Sequence, residues 1–304
     1  MNYIQQAFKG ELGLWKYLII PILFFGLMGL NFVAIVVLDL DVEEIIRQEI
    51  ANKGKNRFLV ESLFPFVVGL VMVFLWVKYI HKQSLTSLTT SRKKIDWKRI
   101  WFSFGLWSLI TVVILAIDYS ISPENYQWNF DLVPFLSLAV IAIILVPIQT
   151  SFEEYFFRGY LMQGLGVAFK YKWIPLFLTS TIFGLLHLGN PEVAKLGNLI
   201  MVYYIGTGFF LGIITLMDEG LELALGFHAS NNLITALLVT ADWTAFQTNS
   251  VFKDVSEPAL GFDVLIPVCI IFPILLFIFS KKYNWTNWKD KLIGKVEMPS
   301  PNEK

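Results

Sequence analysis

The first apolar run of the chain, residues 17–38, carries no charged residue and is long enough to cross a bilayer. Seven more apolar stretches follow, at about 58–80, 100–117, 132–149, 174–188, 198–217, 221–241 and 262–280. A chain that enters hydrocarbon this often must bond its backbone within each crossing. It therefore reads as an all-α polytopic membrane protein of about eight transmembrane helices. The composition agrees, because only 16% of the residues are charged and the mean hydropathy is +0.61, where a soluble domain is about a quarter charged. The 24 basic and 24 acidic residues cancel, so no basic field argues for a nucleic-acid partner. The single cysteine, Cys269, lies inside an apolar run and allows no internal disulfide.

Lysine and arginine in the connections set the orientation. Residues 78–99 hold seven, 158–172 three and the tail after 280 six, whereas 118–131 holds none and 189–197 and 242–261 one each; the exception is 39–57, where Arg47, Lys53, Lys55 and Arg57 are diluted by five acids. The positive-inside rule then places both termini in the cytoplasm. The first run is too long for a signal-peptide core and no small-x-small site closes it, so it reads as a retained helix. No internal repeat, low-complexity tract or linker divides the chain. The expectation is one transmembrane domain over 1–304, with 281–304 a cytoplasmic tail whose end at 298–304 frays. Compact loops fit a bacterial inner membrane.

The stretch 150–159 drops two carboxylates and a guanidinium into this apolar background. Charged groups there need partners or a function. Glu154 and Arg158 stand four apart, so on a helix they share a face and neutralise each other. Such a pair also serves simply to hold helices in register. Glu153 points about 100° away and is the carboxylate left over. His187, one turn after Phe183, is the next ionisable group within a span; then His228 and Asn232 share a helical face. With a turn at 170–173, helices over 153–169 and 174–187 form an antiparallel pair that brings Glu153 and His187 to similar height. Straight-helix counting leaves His228 shallower than Glu153.

A carboxylate beside a histidine takes a proton from water and delivers it to a leaving amine, as amide hydrolysis requires. A histidine and a carboxamide on one face donate to the developing oxyanion. Glu153 with His187 would thus activate water, and His228 with Asn232 would form the oxyanion hole. The alternative uses Glu153, His187 and His228 as ligands of a catalytic zinc ion. No H-E-x-x-H run supports it, so metal-free chemistry without a cofactor is the preferred reading.

Three motifs in order, Glu153-Glu154-x-x-x-Arg158, Phe183-x-x-x-His187 and His228-x-x-x-Asn232, make the chain resemble the CPBP family of intramembrane proteases. That family includes the CAAX prenyl endopeptidases and the bacteriocin-processing or immunity proteins of the Abi type. The resemblance covers about 132–241 and implies a catalytic core in helices 4 to 7. It implies an intramembrane endopeptidase acting on a membrane-embedded or lipidated peptide, prenylated CAAX-type or leader-type. Glu153 and His187 would activate water, His228 and Asn232 would hold the oxyanion, and Glu154 with Arg158 would support the site. The rival class is a non-enzymatic membrane immunity or partner protein whose polar cluster binds a peptide; a proton-relay transporter would show inverted halves, which are absent.

The remaining marked residues have structural readings. His81 reads as an interfacial residue, and Gly208-x-x-x-Gly212 as a close-packing face. Trp97, Trp101, Trp107, Trp128, Trp285 and Trp288 read as interfacial belt anchors. The run Arg92-Lys93-Lys94 with Lys98 and Arg99 reads as an orientation signal.

Overall fold

The computed structural model describes residues 1–258, 261 and 264–300. The start of the expected span 262–280 and the last four residues of the expected fraying tail lie outside the described residues. The chain is helical almost throughout: α1 (Leu14–Val37), α2 (Val42–Lys53), α3 (Lys55–Leu75), α4 (Leu85–Thr89), α5 (Trp97–Ile121), α6 (Leu132–Glu154), α7 (Met162–Phe169), α8 (Trp173–Leu185), α9 (Pro191–Leu196), α10 (Ile200–Asp218), α11 (Glu222–Leu238), α12 (Phe272–Tyr283) and α13 (Trp288–Ile293). Polar residues at the run edges start these helices: the side chains of Asp41, Ser84, Asp96 and Asp131 each accept from a backbone N–H of the following first turn. Three short strands, β1 (Tyr126–Trp128), β2 (Val239–Thr240) and β3 (Phe252–Asp254), form a sheet in the order β1-β3-β2.

Among the described residues five helical stretches are long and apolar enough to cross a membrane: Trp15–Val37, Lys55–Ile80, Trp97–Ile121, Leu132–Phe169 and Ile200–Asp218. The other three expected spans coincide with shorter helices, at Trp173–Gly189, Glu222–Leu238 and 267–283. Contacts between the connections show how these segments alternate. At one end Glu11 N–H donates to the His81 carbonyl, Gln5 donates to the Glu297 carbonyl, Thr90 bridges Gly220, and Tyr171 bridges Lys295. At the other end Lys195 pairs with Glu43 at 2.9 Å, Asn249 donates to Asn56, Ala245 N–H donates to Glu192, and the sheet joins 126–128 to 239–254. Among the described residues the chain thus passes between the two ends eight times; the connections 78–99 and 158–172 and the tail after 280 gather at one end, while 39–57, whose four basic residues are set among five acids, lies at the other.

The apolar faces divide as a bilayer solvent requires. Leu27, Leu30, Val36, Val133 and Val140 point outward, while Phe152, Phe156, Phe157 and Tyr160 pack inward against Phe24 and one another. Helix α10 is enclosed by its neighbours. Gly208 lets it approach α8 so closely that a Cβ there would strike the Ser180 carbonyl, and a Cβ at Gly212 would meet Leu176 at 2.6 Å. The small-residue face is therefore a packing face, as expected.

Five readings of single residues change. Trp107 and Trp285 are interior, 5% and 7% exposed, and their indoles donate to Asn231 and Asp218. His81 is fully buried rather than interfacial, with its ring 4.2 Å from Tyr17 and Nδ1 at the Glu11 carbonyl. Arg92 and Arg99 are more than orientation signals, because both bond Asp218 and Arg92 also reaches Glu222 at 3.1 Å, neutralising two buried carboxylates where α10 turns into α11.

Glu192, in the connection between α8 and α10, carries a pH dependence. Its Oε1 accepts from Ala245 N–H at 3.0 Å, while Oε2 has no hydrogen-bond partner among the described residues. Burial pushes its carboxyl above the ordinary value, offset in part by that N–H. A raised folded-state pKa contributes stability that is complete below the unfolded value and is lost as pH rises through the folded one. Relative to Glu192→Gln, the wild-type protein should therefore lose melting temperature in detergent as pH rises from the acid side of the carboxylate range to neutrality. A constant difference between the two proteins over that range would contradict it.

Candidate active site

The polar residues converge on the middle of one long helix. Residues 132–169 form a single stretch of 38 residues, unbroken at Pro147 or Gly159. Between α6 and α7 the winding loosens into a π-helical segment, Tyr155–Leu161. Such segments widen the hydrogen-bonding ring. Here the Arg158 carbonyl accepts from the buried hydroxyl of Tyr3 at 3.1 Å.

The depth mismatch expected from counting disappears for a specific reason. Gly159 lies against Leu88 and Leu221, so residue 159 stands level with the start of α11, and 160–169 project beyond it beneath the N-terminal segment, where Gly166 faces Ile4. Measured from that level, Glu153 and His228 are each about two helical turns in. They meet.

Glu154 and Arg158 form the expected i,i+4 pair, with Nη1 to Oε1 at 3.0 Å and both side chains fully buried. Arg158 Nη2 donates to the Gly208 carbonyl at 3.1 Å, an acceptor it shares with Ser180 Oγ, and its guanidinium lies 4.2 Å from the Phe183 ring centroid. Phe183 of the second motif thus packs against the first motif's arginine, and its edge meets His228 at 5.8 Å.

His228 bridges the two glutamates. Its Nδ1 is 2.8 Å from Glu154 Oε1, and its Nε2 is 3.4 Å from Glu153 Oε2. Because Glu154 also receives Arg158, Nδ1 is the donor to it. Nε2 is then a donor only in the imidazolium and an acceptor in the neutral ring. The second contact is longer than an ordinary hydrogen bond.

The sequence pairing of Glu153 with His187 is not formed. Among the described residues no hydrogen bond or ion pair joins them; His187 Nδ1 instead lies 3.0 Å from the Phe183 carbonyl, and the ring stacks on Tyr204 at 4.3 Å. Spacing sets helical face and height but not the direction in which a face points. Glu153 takes its bond from Gln149 Nε2, at 2.7 Å, and Gln149 Oε1 accepts from Asn232 Nδ2 at 3.1 Å. Glu154, Arg158 and His228 are enclosed, while Glu153, His187 and Asn232 are only partly covered.

Residues 132–234, which hold every one of these side chains, match the family model described as Type II CAAX prenyl endopeptidase Rce1-like. The chain is also 32% identical over 250 residues to the uncharacterized protein YyaK of Bacillus subtilis (strain 168), a match that spans 79% of this chain and 83% of that protein. The chain belongs to the Rce1-like type II CAAX prenyl endopeptidase family. No solved structure matches it. As a member of this Rce1-like family it is an intramembrane protease, whose surroundings are the lipid bilayer and whose substrate is a peptide.

The zinc alternative would draw on Glu153, His187 and His228 in this Rce1-like site. His228 turns both ring nitrogens to carboxylates, and His187 turns Nδ1 to a backbone carbonyl. Among the described residues no group of three or more His, Cys, Asp or Glu side chains is placed to hold a metal ion.

Three polar residues of the site were missed from the sequence: Gln149, Asn231 and Trp107. Gln149 had a signal, since it stands four residues before Glu153 on one helical face. Asn231 lies beside a motif residue without belonging to the motif. Trp107, on a different helix, had none.

Proposed function

We propose that this protein is an intramembrane endopeptidase in which Glu153 is the general base for water attack on a peptide bond of a membrane-embedded or lipidated substrate, prenylated CAAX-type or leader-type. The observation that carries the reading is the asymmetry between adjacent carboxylates: Glu154 is enclosed and bonded to Arg158 and His228, whereas Glu153 is partly open and bonded at Oε1 by Gln149 alone. One carboxylate is occupied in holding the site together, and the other is available to react.

In the proposed step a water oxygen bonds to the carbonyl carbon while Glu153 takes one of its protons. Glu153 then passes the proton to the amide nitrogen as the C–N bond breaks, leaving a carboxylate and an amine. His187 assists from its second nitrogen, because Nδ1 is held by Phe183. Asn232 has one N–H beyond the one given to Gln149, and His228 as imidazolium can exchange its long contact with Glu153 for the oxyanion. Glu154 and Arg158 hold His228 and α10 in place. In this reading 1–304 is one transmembrane domain with its catalytic core at about 132–241, and 281–304 is a cytoplasmic tail. The lysine- and arginine-rich end, with both termini, faces the cytoplasm of a bacterial inner membrane.

Peptides ending in a farnesylated cysteine, the same peptides unmodified, and leader-type peptides, each incubated with purified protein, test the substrate class. The lipidated peptide should be cleaved with kcat/KM higher on the order of tenfold, because remote apolar binding lowers the barrier to the chemical step. Equal cleavage of all three would remove the lipid requirement. No cleavage of any, together with normal cellular function of Glu153→Gln, would favour the immunity or partner protein.

A further inference from the structure

Four hydrogen bonds run in line from α5 to the reactive carboxylate. Trp107 Nε1–H donates to Asn231 Oδ1 at 3.1 Å, Asn231 Nδ2 to Asn232 Oδ1 at 3.0 Å, Asn232 Nδ2 to Gln149 Oε1 at 3.1 Å, and Gln149 Nε2 to Glu153 Oε1 at 2.7 Å. Three carboxamides in series have no preferred sense of their own, since each exchanges donor and acceptor by rotating half a turn. The two ends decide. An indole only donates, and an ionised carboxylate only accepts. The reverse sense would set an amide NH2 against the indole N–H and an amide oxygen against the carboxylate.

The two ends are not equal during turnover. Once Glu153 has taken the proton of water it becomes a donor as well, and the carboxylate end no longer enforces the sense. A Gln149 amide free to rotate would then offer its oxygen to the Glu153 O–H and hold the proton that the leaving amine needs. Trp107 still enforces the sense at that stage, because its indole can only donate to Asn231 Oδ1. It is well placed to do so, because its ring is 5% exposed and packs 4.5 Å from Phe227 on α11 and 6.2 Å from Phe272.

We propose that Trp107, Asn231 and Gln149 are positioning residues for Glu153: a one-way hydrogen-bond chain, polarised by the Trp107 indole, that keeps the donor edges of Gln149 and Asn232 turned to the reacting carboxylate throughout the cycle. This rests on the reading of Glu153 as the base. Three distinct helices supply the chain, so it also ties the position of α5, which carries none of the three motifs, to the chemistry.

The test is a kinetic double-mutant cycle on the purified full-length protein with a peptide it cleaves. Trp107→Phe should lower kcat by about tenfold and leave KM within about twofold, as expected when an interaction aligning the base is lost. Gln149→Leu should lower kcat by about a hundredfold. The double variant should be no slower than Gln149→Leu alone, because Trp107 acts through Gln149; two independent structural losses would multiply instead. Asn231→Leu breaks the chain without touching the Trp107 packing and should match Trp107→Phe, so it decides the matter if the latter fails to fold. Wild-type kcat in Asn231→Leu, or multiplied effects in the double variant, would overturn the inference. If Glu153→Gln is inactive while Trp107→Phe and Asn231→Leu turn over normally, the chain fails and the base assignment stands. If Glu153→Gln is itself active, both fail.

Discussion

Glu153→Gln yields a folded, membrane-inserted protein whose peptide cleavage falls by about a thousandfold. The substitution keeps the shape of the side chain and its ability to accept from Gln149 Nε2, so the packing around it does not change. It removes only the capacity to take a proton. The neighbouring carboxylate cannot substitute, because Glu154 is fully buried and its Oε1 already receives Arg158 and His228. Cleavage rates of purified wild-type and variant protein, with melting temperatures alongside, check this. A variant that melts normally and retains more than a tenth of the rate would remove Glu153 from the mechanism.

Arg158→Leu lowers stability by about 3–5 kcal/mol, the cost of leaving one partner of a buried ion pair without the other. Arg158 is fully buried, bonds Glu154 and the Gly208 carbonyl, and lies against the Phe183 ring. Its loss strands a carboxylate in an apolar interior and removes a link between α10 and the long helix. Arg158→Lys is not a conservative change here, because a single ammonium cannot reach both acceptors in the fork geometry of a guanidinium. Adding Glu154→Gln to Arg158→Leu should recover part of the stability, since the stranded charge is gone, yet leave cleavage low, because the amide oxygen that still accepts from His228 Nδ1–H carries no negative charge to support the imidazolium in the proposed step. Thermal unfolding in detergent of the two single variants and the double variant measures both effects. An Arg158→Leu protein as stable as wild type would show that the pair is dispensable for folding.

Much of this was legible because membrane sequences separate charge from hydrocarbon so sharply. The Glu154–Arg158 pair follows from i,i+4 spacing alone, and the placing of 78–99, 158–172 and the tail after 280 at one end follows from the distribution of lysine and arginine. Spacing could not say which histidine meets Glu153. His187 and His228 both lie at the right height, and only the packing of α8 and α11 around α10 turns His228 inward to the two glutamates while His187 rests on Tyr204. The continuity of 132–169 was hidden because proline and glycine, here Pro147 and Gly159, are residues at which a helix can break or tilt, and the level at which Gly159 meets Leu221 is set by tertiary contact. Trp107 read as an interfacial anchor because hydropathy does not distinguish an indole at the lipid boundary from one turned to an interior amide. The small sheet at the end opposite the basic connections depends on pairing between segments more than a hundred residues apart, which local pattern does not reveal.

The most direct measurement is mass spectrometry of a lipidated peptide incubated in oxygen-18 water with purified wild-type protein and, in parallel, with Glu153→Gln. The account predicts two fragments from the wild type, with one oxygen-18 atom in the new carboxylate, and intact peptide from the variant. Equal cleavage by both proteins, or intact peptide from both, would contradict it.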